Sequence, residues 1–163
     1  MAKVAFNDEA MREVETLFSR YPKKINALLP LLHLAQRENE GWLPPGWDTY
    51  LAKLCGTTVN HVRGVVTFYN MFRTVKPGRH HIMVCNCLPC GVTGGGALLE
   101  HLEHKLGIHP GNTTEDGLFS LEEAQCLAAC DQAPVMMVNE DLRKKVTFDE
   151  VDAWIKQTRS SGE

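Results

Sequence analysis

Apolar residues recur at steps of three and four along the first seventy or so positions and in short strand-like runs afterwards. Met11, Val14, Leu17, Phe18 and Tyr21 fall on one face of a helix expected from about Asp8 to Arg20, with Pro22 closing it. A second series, Ile25, Leu28, Leu29, Leu32 and Ala35, predicts a helix that runs to Gln36 and beyond. Pro30 near its start is expected to cost one hydrogen bond and bend it, and Gly41 to cap its end. After the corner Trp42-Leu43-Pro44-Pro45-Gly46-Trp47, shorter helices are expected over 48–54 and 59–66, with Thr57 or Thr58 as N-cap of the latter.

Beyond Pro77-Gly78 the pattern changes. His81-Ile82-Met83-Val84 and Val135-Met136-Met137-Val138 read as strands. A helix opening at Gly94-Gly95-Gly96 carries Leu98, Leu99, Leu102 and Leu106 on its apolar face. Thr147-Phe148-Asp149-Glu150 has capping-box spacing, and Phe148, Val151, Trp154 and Ile155 continue as an apolar stripe. The expected organisation is an all-helical part over 1–76, an α/β layer domain over 77–159 and a disordered polar tail over 160–163.

Composition narrows the function classes. With 163 residues, 44% hydrophobic and 23% charged, the chain is globular rather than collagenous, coiled-coil or disordered. The longest apolar run, Ala27 to Ala35, spans nine residues and contains Pro30 and His33, whereas a membrane-spanning helix needs about 20. No direct membrane span is therefore expected. Seventeen basic against twenty acidic side chains, net charge −3 with no basic tract, make nucleic acid a poor partner. The opening MAKVAFNDEA has neither the apolar core of a secretory signal nor the arginines of a transit peptide, so a reducing compartment is expected. In such a compartment clustered cysteines point to metal or redox chemistry rather than to structural disulfides.

Five of the six cysteines lie in the second half: Cys85, Cys87, Cys90, Cys126 and Cys130. Cys55 reads as a buried free thiol in a helix, and His33 and His61 as surface or satisfied-core histidines. The useful grouping is Cys85-x4-Cys90 with Cys126-x3-Cys130, each pair where a strand or helix runs into a loop. Structural zinc favours two tight Cys-x2-Cys turns, and Cys87-x2-Cys90 has no counterpart on the other side. A two-iron cluster needs four thiolates around a rhomb wider than one ion, and x4 and x3 loops accommodate it. Iron–sulfur therefore stands ahead of zinc, with a Cys87-Cys90 redox dithiol third. Such a cluster with its thiolates carries roughly two negative charges when oxidised, so backbone N–H donors are wanted nearby. Gly91 and Gly94 to Gly96 leave the backbone beside Cys90 open for that role.

In the contexts Val84-Cys85-Asn86 and Cys126-Leu127-Ala128-Ala129-Cys130-Asp131-Gln132-Ala133-Pro134, this pattern resembles the thioredoxin-like [2Fe-2S] ferredoxin subunits of respiratory complex I, the NuoE type of bacteria. Leu34-Ala35-Gln36 with Gly41-Trp42-Leu43-Pro44, then Val65-Val66-Thr67-Phe68-Tyr69 and Val135-Met136-Met137-Val138-Asn139, extend the resemblance over nearly the whole chain. The resemblance implies an N-terminal helical bundle followed by a thioredoxin-like [2Fe-2S] domain, with Cys85, Cys90, Cys126 and Cys130 as cluster ligands and no required place for Cys87. It implies a strand before Cys126, although Ser120-x-x-Glu123 with Leu121, Ala124 and Leu127 reads locally as a capped helix; tertiary context overrides weak propensity, and a strand is expected.

By the same resemblance the reaction is NADH oxidation coupled to quinone reduction, with FMN and NADH bound in a NuoF-type partner subunit. This chain, which lacks Gly-x-Gly-x-x-Gly after a strand, would hold single electrons rather than a substrate. It would sit in the cytoplasm, on the inner membrane only through the rest of complex I. The small subunits of NAD-linked hydrogenases and formate dehydrogenases share the pattern. Trp42, Trp47, Phe68 and Tyr69 are candidates both for an apolar docking area and for the bundle core.

Overall fold

The computed structural model describes residues 4–161; Met1 to Lys3 of the opening segment and Gly162 and Glu163 of the expected tail lie outside the described residues. The chain divides into two compact units, one up to Lys76 and one from Pro77 onward.

The first unit contains helices α1 (Asp8–Ser19), α2 (Leu28–Glu38), α3 (Trp47–Cys55) and α4 (Val59–Phe68), with a 3-10 turn over Lys24–Ala27. Asn7 caps α1 by accepting from the Ala10 N–H at 2.8 Å, and Thr58 caps α4 through the His61 N–H. Pro30 stands in the first turn of α2, where an amide has no helical acceptor, so the expected loss of a hydrogen bond and bend do not arise. Asn39 is the C-cap residue, and Gly41, at φ +85°, sends its N–H back to the Gln36 carbonyl at 2.9 Å. The apolar faces meet in one core of Val14, Leu31, Leu32, Leu34, Leu51 and Val62, each worth about 1.5–3 kcal/mol on burial. Trp47 belongs to that core, 2% exposed and edge-on to Phe6 and Tyr50, so it is no docking residue. Trp42 and Tyr69 are half-buried, and Phe68 alone of the four aromatic candidates stands in solvent, 79% exposed. His33 and His61 are exposed.

The second unit is a four-stranded sheet, β1 (His80–Cys85), β2 (Phe119–Ala124), β3 (Met136–Val138) and β4 (Asp141–Arg143), in the order β2-β1-β3-β4. β1 and β2 run parallel, joined through α5 (Leu88–Val92) and α6 (Gly95–Leu106), while β3 and β4 are antiparallel to their neighbours. Ile82, Val84, Phe119, Leu121, Met136 and Val138 bury one sheet face against Leu98, Leu102 and Leu106 of α6 and Val151 and Ile155 of α7 (Phe148–Ser161). The strand before Cys126 prevails over the local helical signal because Leu121 and Phe119 fill that core while Ser120 is claimed elsewhere: its hydroxyl accepts from the Gly78 N–H and meets His81 Nδ1 at 2.8 Å. α7 opens with the reciprocal Thr147/Glu150 capping bonds. It extends through Ser160 and Ser161, which therefore form its last turn and not a disordered tail. Phe148, expected on its buried stripe, is 45% exposed and stacks on His101 at 4.6 Å.

Candidate metal centre

The parallel pairing of β1 and β2 brings two cysteine segments to one end of the sheet. Cys85 is the last residue of β1, in register with Ala124, the last of β2, and Cys126 follows two residues later. The carboxyl ends of neighbouring parallel strands are the usual place for a site in an α/β layer. Cys85 is tied there by its N–H to the Val135 carbonyl at 3.2 Å, and Asn86 by its N–H to Ala124 and its side chain to Glu123.

Cys90 is delivered by α5. Cys87 stands at the N-cap of that helix and its carbonyl accepts from the Gly91 N–H at 2.8 Å. The close approach of α6 then requires a glycine: a Cβ on Gly95 would meet the Cys85 carbonyl at 2.7 Å and the Cys90 carbonyl at 2.9 Å. On the other side, the turn over 125–129 places Ala128 at φ +56°, with its N–H 3.4 Å from Cys126 Sγ. Cys130 opens a 3-10 turn that leads through a cis Ala133-Pro134 peptide to Val135.

Cys85 and Cys90 are buried and pack with Ala129 and Val135, with Cys87 and Leu127 alongside; Cys126 and Cys130 are exposed. All six cysteines are free thiols. Among the described residues no three side chains of Cys, His, Asp or Glu gather tightly enough for one metal ion. The thiols come instead as two pairs, Cys90 hydrogen-bonded to Cys85 and Cys126 to Cys130. Burial opposes ionisation of Cys85, but the N–H groups of Cys87 and Leu127 and the Cys90 thiol outweigh it, and its pKa lies below the ordinary thiol value. Burial and the bond to Cys85 push Cys90 up, although the Val135 N–H acts the other way. Cys130 is raised by desolvation and by the neighbouring side chains of Cys126, Cys87 and Cys85. Cys55, in the core of the helical unit, is raised by burial against a pull from Lys24.

The thiols therefore already sit close enough to feel one another's charge, and backbone N–H groups point at three of the sulfurs. A negatively charged cluster with four sulfur ligands needs such donors, and they add no titrating charge. A [2Fe-2S] group fits this donor set. The donors at Leu127, Ala128 and Val135 could not be read from sequence spacing, because they depend on how the turn after β2 folds back on β1.

Residues 14–159 match the thioredoxin-like [2Fe-2S] ferredoxin family. The chain belongs to that family. It is 38% identical to an NADH-quinone oxidoreductase subunit of Rickettsia felis over 154 residues, 93% of this chain and 92% of the relative. It is 39% identical to an NADH-quinone oxidoreductase subunit of Thermus thermophilus over 140 residues, 85% of this chain and 77% of the relative. Among solved structures, an NAD+-reducing [NiFe]-hydrogenase in the air-oxidised state superposes with a TM-score of 0.71 at 24% identity. That superposition covers 82% of this chain but only 23% of the hydrogenase chain, and it bears on the fold alone.

Proposed function

We propose that this chain is the electron-carrying subunit of an NADH-quinone oxidoreductase, with one [2Fe-2S] cluster on Cys85, Cys90, Cys126 and Cys130. The observation that carries the reading is the meeting of two cysteine pairs at the ends of β1 and β2, in a family member whose relatives bear that enzyme's name over most of their length. When bound, the cluster supplies a store for one electron at a time. The chain's own residues hold it: β1 and α5 fix one thiol pair in the interior, the turn after β2 presents the other at the surface, and the N–H groups of Cys87, Leu127 and Ala128 offset the negative charge on sulfur. The exposed Cys126 and Cys130 edge is where a redox partner gains the shortest path.

That partner is the flavoprotein subunit, of NuoF type, which binds NADH and FMN, and the assembly lies on the cytoplasmic face of the membrane. No helix among the described residues is long and apolar enough to cross it. Purified anaerobically, the chain should contain about two irons and two acid-labile sulfides and bleach with dithionite. It should not oxidise NADH until co-expressed with the flavoprotein. Zinc without sulfide, or NADH oxidation by the chain alone, overturns the reading; co-purification with a hydrogenase or formate dehydrogenase large subunit moves the chain to that assembly.

A further inference from the structure

Among the described residues seven large apolar side chains stand in solvent, and two of them share one short helix. Leu88 is 82% exposed and Val92 78%. They lie four residues apart on α5, the helix that delivers Cys90, so they project from one face, a turn apart. Neither packs against any of the three apolar clusters of the described residues. Phe148 and Phe68, also exposed, have ring partners in His101 and Tyr69. A lone exposed apolar residue is ordinary, whereas a pair on the helix that carries Cys90 makes a surface.

That surface is also poor in charge. From His80 to Leu99 there is no Asp, Glu, Lys or Arg, although 23% of the chain is charged. The exposed positions in the loop and helices after β1 are Asn86, Leu88, Gly91, Val92, Thr93 and Ala97. The two polar side chains among them already have partners: the Asn86 amide donates to Glu123 at 2.7 Å, and the Thr93 hydroxyl to the Pro89 carbonyl at 2.9 Å. A protein that covers this face can leave both bonds intact. Depletion of charge around exposed apolar residues is the composition of an interface core, and Glu123 brings a carboxylate to its edge.

Resting on the electron-carrier reading, we propose that the exposed face of α5 is the apolar anchor on which the flavoprotein subunit docks, an uncharged patch of that subunit covering Leu88 and Val92. Position and composition select this occupant. Leu88 follows Cys87 directly and Val92 comes two residues after Cys90, so a protein seated on the pair stands against the thiol loops, where an electron must enter. A carrier that met its partners only in passing would be steered by charge, which this stretch lacks; apolar, uncharged contact belongs to permanent association. A second copy of the chain paired through α5 would instead close the thiol loops against the flavoprotein. The anchor thus lies in the ferredoxin unit and not on the aromatics of the helical unit.

The test measures the affinity of the purified, cluster-loaded full chain for the immobilised flavoprotein subunit of the same organism by biolayer interferometry. Leu88→Ser should weaken binding roughly tenfold or more, and Leu88→Ser with Val92→Ser roughly a hundredfold or more, the loss of one and of two buried side chains. Leu88→Met, which keeps the apolar volume, should stay within about twofold. Val75→Ser, at a valine of the helical unit that is 76% exposed, should bind like the parent. Iron, sulfide and the urea midpoint should not move in these variants, because none of the side chains packs on a core. Parent-like affinity in the double variant overturns the proposal. So does a chain that is dimeric in analytical ultracentrifugation and becomes monomeric in the double variant while its affinity for the flavoprotein is kept, because the face then belongs to a second copy. A parent chain that carries iron and sulfide yet does not bind the flavoprotein refutes that partnership itself, and the anchor with it; the parent's own binding tells the two failures apart.

Discussion

The two cysteine pairs of this chain solve one problem in opposite ways. Cys85 and Cys90 are held from behind: a strand end and a helix bury both, and α6 approaches their backbone closely at Gly95. Cys126 and Cys130 sit on an exposed turn without regular structure between them, shaped by a left-handed alanine and by an N–H to sulfur bond. The buried pair can resist water and hold position through packing alone; the exposed pair gains its geometry from the turn and offers a partner close approach. A redox centre needs both properties, and here they are divided between two segments separated by the whole of α6.

The largest effect that can break this division is loss of the cluster. Serine at Cys85, Cys90, Cys126 or Cys130 should in each case abolish or strongly reduce iron and sulfide content, whereas Cys87→Ser and Cys55→Ser should leave a near-normal visible spectrum. The cluster-free variants should then part company. Cys85→Ser and Cys90→Ser put a hydroxyl into an apolar pocket and should lower apo stability by about 1–3 kcal/mol. Cys126→Ser and Cys130→Ser should stay within about 0.5 kcal/mol of the parent in urea unfolding. A cluster that survives Cys126→Ser and is lost in Cys87→Ser refutes the ligand assignment.

Thiol reactivity sharpens the same contrast. After the metal is removed under reducing conditions, alkylation should label Cys126 and Cys130 first and Cys85, Cys90 and Cys55 roughly tenfold or more slowly, because the buried thiols react only through local opening. Mass spectrometry of the digested chain gives the order. Equal labelling in the native state would show that the packing around Cys85 and Cys90 forms only around the cluster.

Gly95 and Gly96 test the backing of the buried pair by a single methyl each. Gly95→Ala drives a Cβ into the Cys85 and Cys90 carbonyls and should cost about 1–3 kcal/mol and reduce cluster retention. Gly96→Ala meets nothing within 4 Å, and should stabilise α6 by about 0.5–1 kcal/mol. A neutral Gly95→Ala would mean that α6 can retreat from the cysteine loop.

Much of this arrangement is written in local pattern, and the exceptions have physical causes. Helices α1, α3, α4, α6 and α7 announce themselves because each lays an apolar face on a core at three- and four-residue spacing. β2 is visible only against its own local signal, since Ser120 and Glu123 suit a capped helix and the strand exists because β1 pairs with it. β4, three polar-leaning residues, Asp141 to Arg143, carries no pattern at all and is held by pairing with β3. Spacing picks out which cysteines can group, but the N–H donors at Leu127, Ala128 and Val135 arise from the fold of a turn that carries no glycine to mark it. Trp47 illustrates the same limit in the helical unit: a tryptophan in a proline-rich corner reads equally as surface or core until its neighbours Phe6 and Tyr50 are in place.

The smallest expected effect lies in the turn between Cys126 and Cys130. Ala128 at φ +56° pays a steric penalty that glycine avoids, about 1–2 kcal/mol for an L residue in the left-handed region. Glycine in turn loses about 0.4–1 kcal/mol through the greater freedom of its unfolded chain. The two nearly offset, so Ala128→Gly should stabilise the cluster-free chain by less than about 1 kcal/mol, with an unchanged slope in urea. The residue 128 N–H that reaches Cys126 Sγ is retained, so iron content should be unchanged. Its counterpart beside the buried pair behaves in reverse. Gly94 stands at φ +105° with nothing within 4 Å of its Cβ position, so Gly94→Ala meets no neighbour and tests conformation alone, a penalty of about 1–2 kcal/mol reduced by the same unfolded-chain contribution of about 0.4–1 kcal/mol. The two substitutions run in opposite directions at positive φ, so equal and opposite shifts mean one conformational penalty at both sites, and a cost at Gly94 larger than the gain at Ala128 supports a rigid backing on one side and a turn tolerant of either residue on the other. Destabilisation by more than about 1 kcal/mol in Ala128→Gly would instead show that the alanine methyl packs as part of the site, and that the exposed pair is as firmly built as the buried one.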